Sequence, residues 1–385
     1  MQIRRQLTVA SPLTAGDITG ALSDTVTGRA RDEEVRGMLA VEFDANDVVL
    51  TDSGTSALVL ALRLLAKPAV PVAMPAYACV DLISAARRAD VRVRFFDIDP
   101  QTLSPDIDSL RRVLADGVSA VVVAHLYGFP ADMIAVTEAA REAGVPVIED
   151  AAQHACATIG GKPAGSFGDL TVLSFGRGKG TTSGRGGALL RSRSAADSIP
   201  PLTHDLASNT GMTDLALAAA SWMLGRPSIY GIPASIPALH LGETVYHEAG
   251  EPRHMSRAAS ALLARTLGGM HRAAAARRAN ALILRDASDQ SRQVATVRAI
   301  EGGESGYLRF PVLMRGEVRD DPTLGIVRGY PKPLSAEPES AECTVPSSEP
   351  LHGAHELADR LVTLPTHHMV TPDDIARMSH WLRGS

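Results

Sequence analysis

The chain has 385 residues, 45% hydrophobic and 21% charged, which suits a well-buried core spread over two domains or one large domain with a smaller companion. Its formal net charge is -5 with no long run of either sign, so composition announces neither a nucleic-acid partner nor a membrane surface, and no stretch approaches the ~20 apolar residues of a membrane span. Cys79, Cys156 and Cys343 are scattered and form no CxxC pair, which supports neither a zinc site nor a disulfide framework. A reducing cytoplasm suits them, and the N-terminus lacks the apolar run of a signal peptide.

In chain order, residues 48–51 read as a strand and residues 55–66 as a helix apolar nearly all round, hence buried. Residues 91–96 and 120–124 are further strands. Residues 131–143 form a helix ended by Gly144, and residues 145–148 the next strand. Short strands follow at 170–174 and 187–190. Strand and helix alternating in this way predict a mostly parallel sheet with helices on both faces. The pattern then changes. Residues 214–224 look helical, and residues 226–241 carry Pro227, Pro233 and Pro237 and read as a connector. Residues 256–287 form a long helical stretch with a bend expected at Gly268-Gly269, and residues 307–314 a strand. Residues 320–349, rich in Pro, Glu and Ser, read as surface loops. Two helices close the chain, the last opened by an N-capping Thr371 and by Pro372. The expected division is a large domain over residues 20–240 and a smaller C-terminal α+β domain over 241–385, with residues 1–19 packing on the latter.

Three segments of the first domain carry chemistry. In Thr51-Asp52-Ser53-Gly54-Thr55-Ser56 a strand ends, a glycine turns the backbone and a helix begins with hydroxyl residues. This is a phosphate-binding start or an ordinary N-cap. In Val147-Ile148-Glu149-Asp150-Ala151-Ala152-Gln153 an apolar strand delivers a carboxylate to its C-terminal end, the edge where open α/β sheets bind ligands. Asp150 there is a ring-nitrogen partner or a helix cap. In Ser174-Phe175-Gly176-Arg177-Gly178-Lys179-Gly180 a lysine flanked by glycines sits in a permissive loop, a carbonyl-reactive amine or a surface side chain. A P-loop is excluded, because Gly180 stands where Ser or Thr must follow the lysine and Leu173 where its first glycine belongs. His367 and His368 are adjacent and diverge on any regular element, and no H-E-x-x-H occurs, so no metal is expected.

Taken in order, these segments resemble the DegT/DnrJ/EryC1/StrS family of pyridoxal-5'-phosphate (PLP) enzymes, best known as nucleotide-sugar aminotransferases. The likeness runs through Ser53 to Leu58, Pro75-Ala76-Tyr77, Glu149 to Gln153, Gly165 to Asp169, Ser174-Phe175 and Lys179 to Gly187, with fainter echoes at Tyr330-Pro331 and Leu364 to His367. It implies the aspartate-aminotransferase-like fold type I, a homodimer with shared active sites, and a set of residue roles. Lys179 would be the Schiff-base lysine, Asp150 the partner of the pyridine nitrogen and Gln153 the neighbour of the ring oxygen. Ser174 and the Gly54 and Thr55 amides would hold the phosphate.

The chain departs from the family at three points. The aromatic residue that usually stacks on the cofactor is replaced by Cys79, with Tyr77 nearby but out of step. Arg185 stands where a glutamate is common and is either a binder of a substrate carboxylate or phosphate or a solvated loop residue. The segment Gly250 to Met255 lacks the asparagine that reaches the neighbouring subunit's cofactor phosphate, leaving Arg253 or His254 as replacements. Tyr77, Arg185 and Tyr330 are the candidate substrate contacts. The resemblance implies transfer of an amino group from glutamate or glutamine to a keto-sugar or related cyclic ketone. The alternatives are another PLP reaction, such as elimination, decarboxylation or carbon–carbon bond formation, and a non-catalytic PLP-binding regulator.

Overall fold

The apolar runs predicted as strands assemble into a seven-stranded sheet in the computed structural model, which describes residues 4–202, 206–236 and 245–384. Its strands are β1 (Ala45–Thr51), β2 (Val72–Pro75), β3 (Val93–Phe96), β4 (Val121–Ala124) and β5 (Val147–Asp150). After the two short strands β6 (Thr158–Ile159) and β7 (Lys162–Pro163) come β8 (Leu170–Ser174) and β9 (Gly187–Ser192). Across the sheet the order is β1-β9-β8-β5-β4-β2-β3. β2, β3, β4, β5 and β8 are parallel. β9 runs against both of its neighbours, so β1 points the same way as the parallel set. β2, β4 and β5 are buried at every position, as strands covered on both faces must be. The consequence for function is geometric: the C-terminal ends of β1, β2, β4, β5 and β8 share one edge.

The expected helices are present with shifted ends. The first runs Gly54–Leu65 and is buried along most of its length. The next, Met133–Ala143, is capped by the Asp132 carboxylate on the Ala135 amide at 3.0 Å and stopped by Gly144 at φ 66. The long C-terminal stretch does break at its glycines, into Arg257–Thr266, a 3-10 turn Leu267–Gly269 and Met270–Asp289. Helices Ala15–Val26, Asp32–Glu42, Asp81–Arg88 and Ile107–Ala115, together with β2, were not anticipated. Most of these are short and charged on their outer faces, and the apolar pattern within them covers too few turns to stand out.

A second sheet, β10 (Val294–Thr296), β12 (Phe310–Met314), β14 (Leu361–Leu364) and β13 (Val327–Arg328) in that order, is antiparallel throughout. The remaining strand, β11 (Gly303–Glu304), pairs with β6. The expected boundary at 240/241 and the end of the Pro-rich connector, residues 237–241, lie outside the described residues; within the connector, Gly231–Ala234 forms a short helix. The apolar cores change partners later in the chain. Met255, Leu263 and Met270 pack with Leu39, Leu50 and Leu190 of the large sheet's side. Ala281 and Leu284 open the core that holds Phe310, Val362 and Leu382. One helix, Met270–Asp289, therefore serves both cores.

The N-terminal segment divides likewise. Its first described residues bind the second core: Arg4 pairs with Asp374 at 2.9 Å, Gln6 Nε2 donates to Asp374 at 2.8 Å, and the Gln6 amide donates to Thr323 O at 2.9 Å. Asp374 also closes a capping box with Thr371, which fixes the start of the last helix, Pro372–Arg383. The helix Ala15–Val26 instead sets Ala21 against Ala258 and Leu262.

Candidate active site

Five parallel strand ends deliver the walls of one cleft, about 540 Å³ of open space. Gly54 and Thr55 follow β1. Cys79 and Asp81 follow β2, Ala124 to Leu126 end β4, and Asp150, Ala152 and Gln153 end β5. Ser174 ends β8, and Lys179 enters from the loop beyond it. The sheet edge thus brings together all seven residues that the sequence suggested for cofactor binding.

The helix start after β1 is built for an anion. Ser53 Oγ accepts the Ser56 amide at 3.0 Å and Ser53 O the Ala57 amide at 3.2 Å, which leaves the Gly54 and Thr55 amides as the first donors of the helix. The Ser174 and Thr55 hydroxyls have no protein partner among the described residues. Gly54 is needed for this approach, since a Cβ there would lie 2.7 Å from Ser174 Cβ.

Asp150 is buried. Its Oδ1 accepts the Ala152 amide at 3.0 Å, and its Oδ2 has no protein partner among the described residues. Burial raises its pKa, partly offset by the Ala152 amide and by Lys179. Next to it, Gln153 Oε1 accepts the Tyr127 amide at 3.1 Å and Nε2 donates to the Tyr330 hydroxyl at 2.7 Å. Cys79 lines the cleft, and burial, reinforced by the Asp81 charge, pushes its thiol up to about 12. It is therefore a neutral packing group and not a reactive thiolate.

Two polar wall residues, His125 and Asp81, were not anticipated. His125 follows the last residue of β4 and is buried. The Ala131 amide donates to its Nδ1 at 3.0 Å, which assigns the proton to Nε2; Nε2 then donates to Glu149 Oε1 at 2.8 Å. Glu149 is fully buried and also accepts the Gly165, Phe167 and Gly168 amides at 2.6 to 2.8 Å. Burial alone would raise its carboxyl, but the His125 bond and the amides outweigh it and the net shift is downward. The segment Gly165 to Asp169 thereby acquires a role: it satisfies the carboxylate that holds His125. Gly165, at φ +111, leaves no room for a side chain against Phe43 and Ala151. His125 was legible by the logic that found Asp150, a polar residue at the end of an apolar run. Asp81 carried no comparable signal.

The candidate substrate contacts are not brought to the cleft lining. Tyr77 is fully buried and its hydroxyl accepts the Tyr330 amide at 2.8 Å, so it stands behind the wall. Tyr330 is also buried, with its hydroxyl turned to Gln153. Arg185 is exposed, 3.9 Å from Asp214. The segment after Pro252 lies along its own chain: the Asp52 amide donates to Arg253 O at 2.9 Å, and His254 Nδ1 meets Met255 O at 2.8 Å.

Comparison with known proteins bears on the family and the fold. A stretch of 162 residues, 42% of this chain and 40% of the relative, is 35% identical to a dTDP-4-dehydro-2,3,6-trideoxy-D-glucose 4-aminotransferase of Saccharopolyspora spinosa, so the match spans about two fifths of that relative. The solved aminotransferase TlmJ from Streptoalloteichus hindustanus superposes with a TM-score of 0.75 at 23% identity, covering 98% of this chain and 97% of that one. An E. coli GDP-4-keto-6-deoxy-D-mannose-3-dehydratase with bound hydrated PLP superposes with a TM-score of 0.74 at 15% identity, covering 99% and 100%. These establish the architecture as fold type I. The model of the DegT/DnrJ/EryC1/StrS aminotransferase family matches residues 33–383, nearly the whole chain, and the protein belongs to that family.

Proposed function

We propose that the protein is a PLP-dependent aminotransferase that moves an amino group from glutamate or glutamine to a keto-sugar or related cyclic ketone. The observation that carries this is the convergence of Lys179, Asp150, Gln153, Ser174 and the Gly54–Thr55 helix start on one cleft. The groups fit the cofactor. A buried carboxylate with one oxygen unpartnered suits a protonated pyridine nitrogen, and two unpartnered hydroxyls beside a helix start suit a phosphate. Lys179 has no ion-pair partner among the described residues, so its amine is available to the aldehyde. The Saccharopolyspora relative, named for amination of a 4-dehydro sugar nucleotide, supports the acceptor class.

When bound, PLP supplies an electron sink for bonds breaking at the amino-bearing carbon. The chain's own residues do the rest. Asp150 would keep a proton on the ring nitrogen and Gln153 would donate to the ring oxygen, while Ser174 and the Gly54 and Thr55 amides would hold the phosphate. The Lys179 amine would serve as carbonyl anchor and as the proton carrier at the reacting carbons.

A homodimer fits the helix Met212–Leu224, which exposes Met212, Leu217, Met223 and Leu224. No described helix is long and apolar enough to cross a membrane, and the cytoplasm is the compartment we assign.

The test is spectroscopic. Protein loaded with PLP should show a visible cofactor band, and borohydride should add the cofactor's mass to the Lys179 peptide. Absence of both after PLP is supplied sinks the reading. Glutamate or glutamine should bleach the band, and a ketone acceptor should restore it. A band that persists with every donor, joined by a new long-wavelength species with some amino acid, points instead to elimination, decarboxylation or carbon–carbon bond formation. A band with no turnover of any substrate points to a regulator.

A further inference from the structure

The chain has only six tyrosines, and three of them, Tyr77, Tyr127 and Tyr330, cluster directly behind the cleft wall. Tyr330 meets Tyr77 edge-on at 5.4 Å and stacks on Tyr127 at 5.7 Å between ring centroids. Its backbone amide donates to the Tyr77 hydroxyl. Gly329 permits this, because a Cβ there would stand 2.3 Å from that hydroxyl. Tyr330 is thus fixed at its backbone, and its phenol oxygen accepts from Gln153 Nε2 at 2.7 Å.

The Gln153 carboxamide has one possible orientation. The Tyr127 backbone N–H can only donate, so the atom facing it is Oε1. Nε2 therefore lies on the other side, where one N–H goes to Tyr330. The second N–H is left for the cleft that Gln153 lines. Tyr127 supplies its amide from a left-handed backbone at φ 55, a conformation costing on the order of 1 kcal/mol for a bulky residue. Tyr330 lies 177 positions away, just beyond β13 of the second sheet. Tyr330 nonetheless packs in the large sheet's core with Tyr77 and Tyr127, so the Gln153 amide is oriented by a residue distant in sequence but adjacent in space.

We propose that Tyr330 is a positioning residue: it holds Gln153 in the orientation that donates to the ring oxygen, and so sets the pH at which the cofactor–lysine linkage changes protonation. The proposal rests on the cofactor assignment above. Tyr77, Tyr127, Cys79 and Gln153 face Tyr330, with Arg309 over the Tyr127 ring at 5.8 Å; Lys179, Asp150, Asp81 and His125 line the cleft beyond. Burial pushes Tyr127 and Cys79 each up to about 12 and Tyr77 and Tyr330 well above the ordinary phenol value, so these groups do not titrate near neutrality.

The experiment compares PLP-loaded wild type, Tyr330→Phe, Gln153→Ala and the double variant. It reads the midpoint pH of the visible cofactor spectrum, together with the affinity of the cofactor-free protein for PLP. A loosened donor makes the ring oxygen more basic, so Tyr330→Phe should raise the midpoint by about half a pH unit to one unit. Gln153→Ala should raise it further, and the double variant should match Gln153→Ala, because the tyrosine acts through the amide. Tyr330→Leu is a second hydroxyl-free variant, so the outcome does not hang on the folding of one. An unchanged midpoint in folded Tyr330 variants overturns the proposal. So does a Tyr330→Phe shift that is equally large in the Gln153→Ala background. Wild type that takes up no PLP overturns the cofactor assignment itself, a result distinct from either.

Discussion

The wall formed by the ends of β4 and β5 and the loop that carries Lys179 face the same cleft, yet they use their hydrogen bonds very differently. In the wall, Glu149 accepts four donors, His125 uses both ring nitrogens, and Gln153 is held at both ends of its amide. In the loop, only the base is pinned, by Phe175 N to Gly186 O at 2.8 Å and Ser183 N to Phe175 O at 2.9 Å. Among the described residues, the tip from Arg177 to Thr181 makes one hydrogen bond, Ser11 Oγ to Lys179 O at 2.5 Å. Under the proposed function, groups that would hold a ring still are built on a buried sheet edge, whereas the amine that would come and go rides on a glycine-flanked tip.

Four variants break or sharpen this contrast, in decreasing order of effect. Lys179→Ala should lower amino transfer by roughly 10⁴-fold or more, because it removes both the covalent anchor and the proton carrier. Its thermal stability should stay within about 0.5 kcal/mol of wild type, since the tip is weakly tied. A large loss of stability would show that the loop is tied down as firmly as the wall.

Glu149→Ala should do the reverse and destabilise the fold by about 3–5 kcal/mol, leaving four buried donors without an acceptor. The folded Glu149 pKa lies below its unfolded value, so its contribution is present in full above the unfolded pKa of about 4.3. That contribution is lost as pH falls through the folded pKa. Urea unfolding of wild type should therefore weaken below about pH 4.3 more steeply than that of Glu149→Gln.

Asp150→Asn separates cofactor binding from stability within the wall. The folded Asp150 pKa is raised, so in the cofactor-free protein its favourable contribution exists at low pH and is lost as pH rises through the folded pKa. Asparagine removes the penalty of a buried, unpaired carboxylate. The cofactor-free variant should melt no lower than wild type at neutral pH, while its PLP affinity falls roughly 10- to 100-fold. The smallest effect belongs to Ser11→Ala. Losing one hydrogen bond of about 0.5–1.5 kcal/mol should speed hydrogen exchange at residues 177–181 and leave the wall's protection unchanged.

Much of this was legible before any coordinates. The strand ends at Asp150 and Ser174 and the helix start at Gly54 follow from local apolar runs interrupted by a glycine or a polar residue, and local signals survive in a linear pattern. The bent C-terminal helix was legible for the same reason. The partners of these groups were not. Nothing near Tyr330 in sequence says that its hydroxyl meets Gln153, and Arg185 and Tyr77 looked like site residues only because they adjoin family motifs.

The sequence by itself determined the fold class and the order of the candidate site segments along the chain, because each depends on a few consecutive residues whose backbone and apolar pattern dictate the outcome; the roles expected of those residues came with the family resemblance. Tertiary structure alone decided that the Gly165, Phe167 and Gly168 amides fix Glu149, which in turn holds His125, that Tyr77 and Tyr330 stand behind the cleft, and that the helix Met270–Asp289 is shared between cores. The physical reason is that burial and hydrogen-bond satisfaction are set by groups far apart in the chain: a carboxylate that would be costly to bury alone becomes a fixed support once four donors from distant segments converge on it.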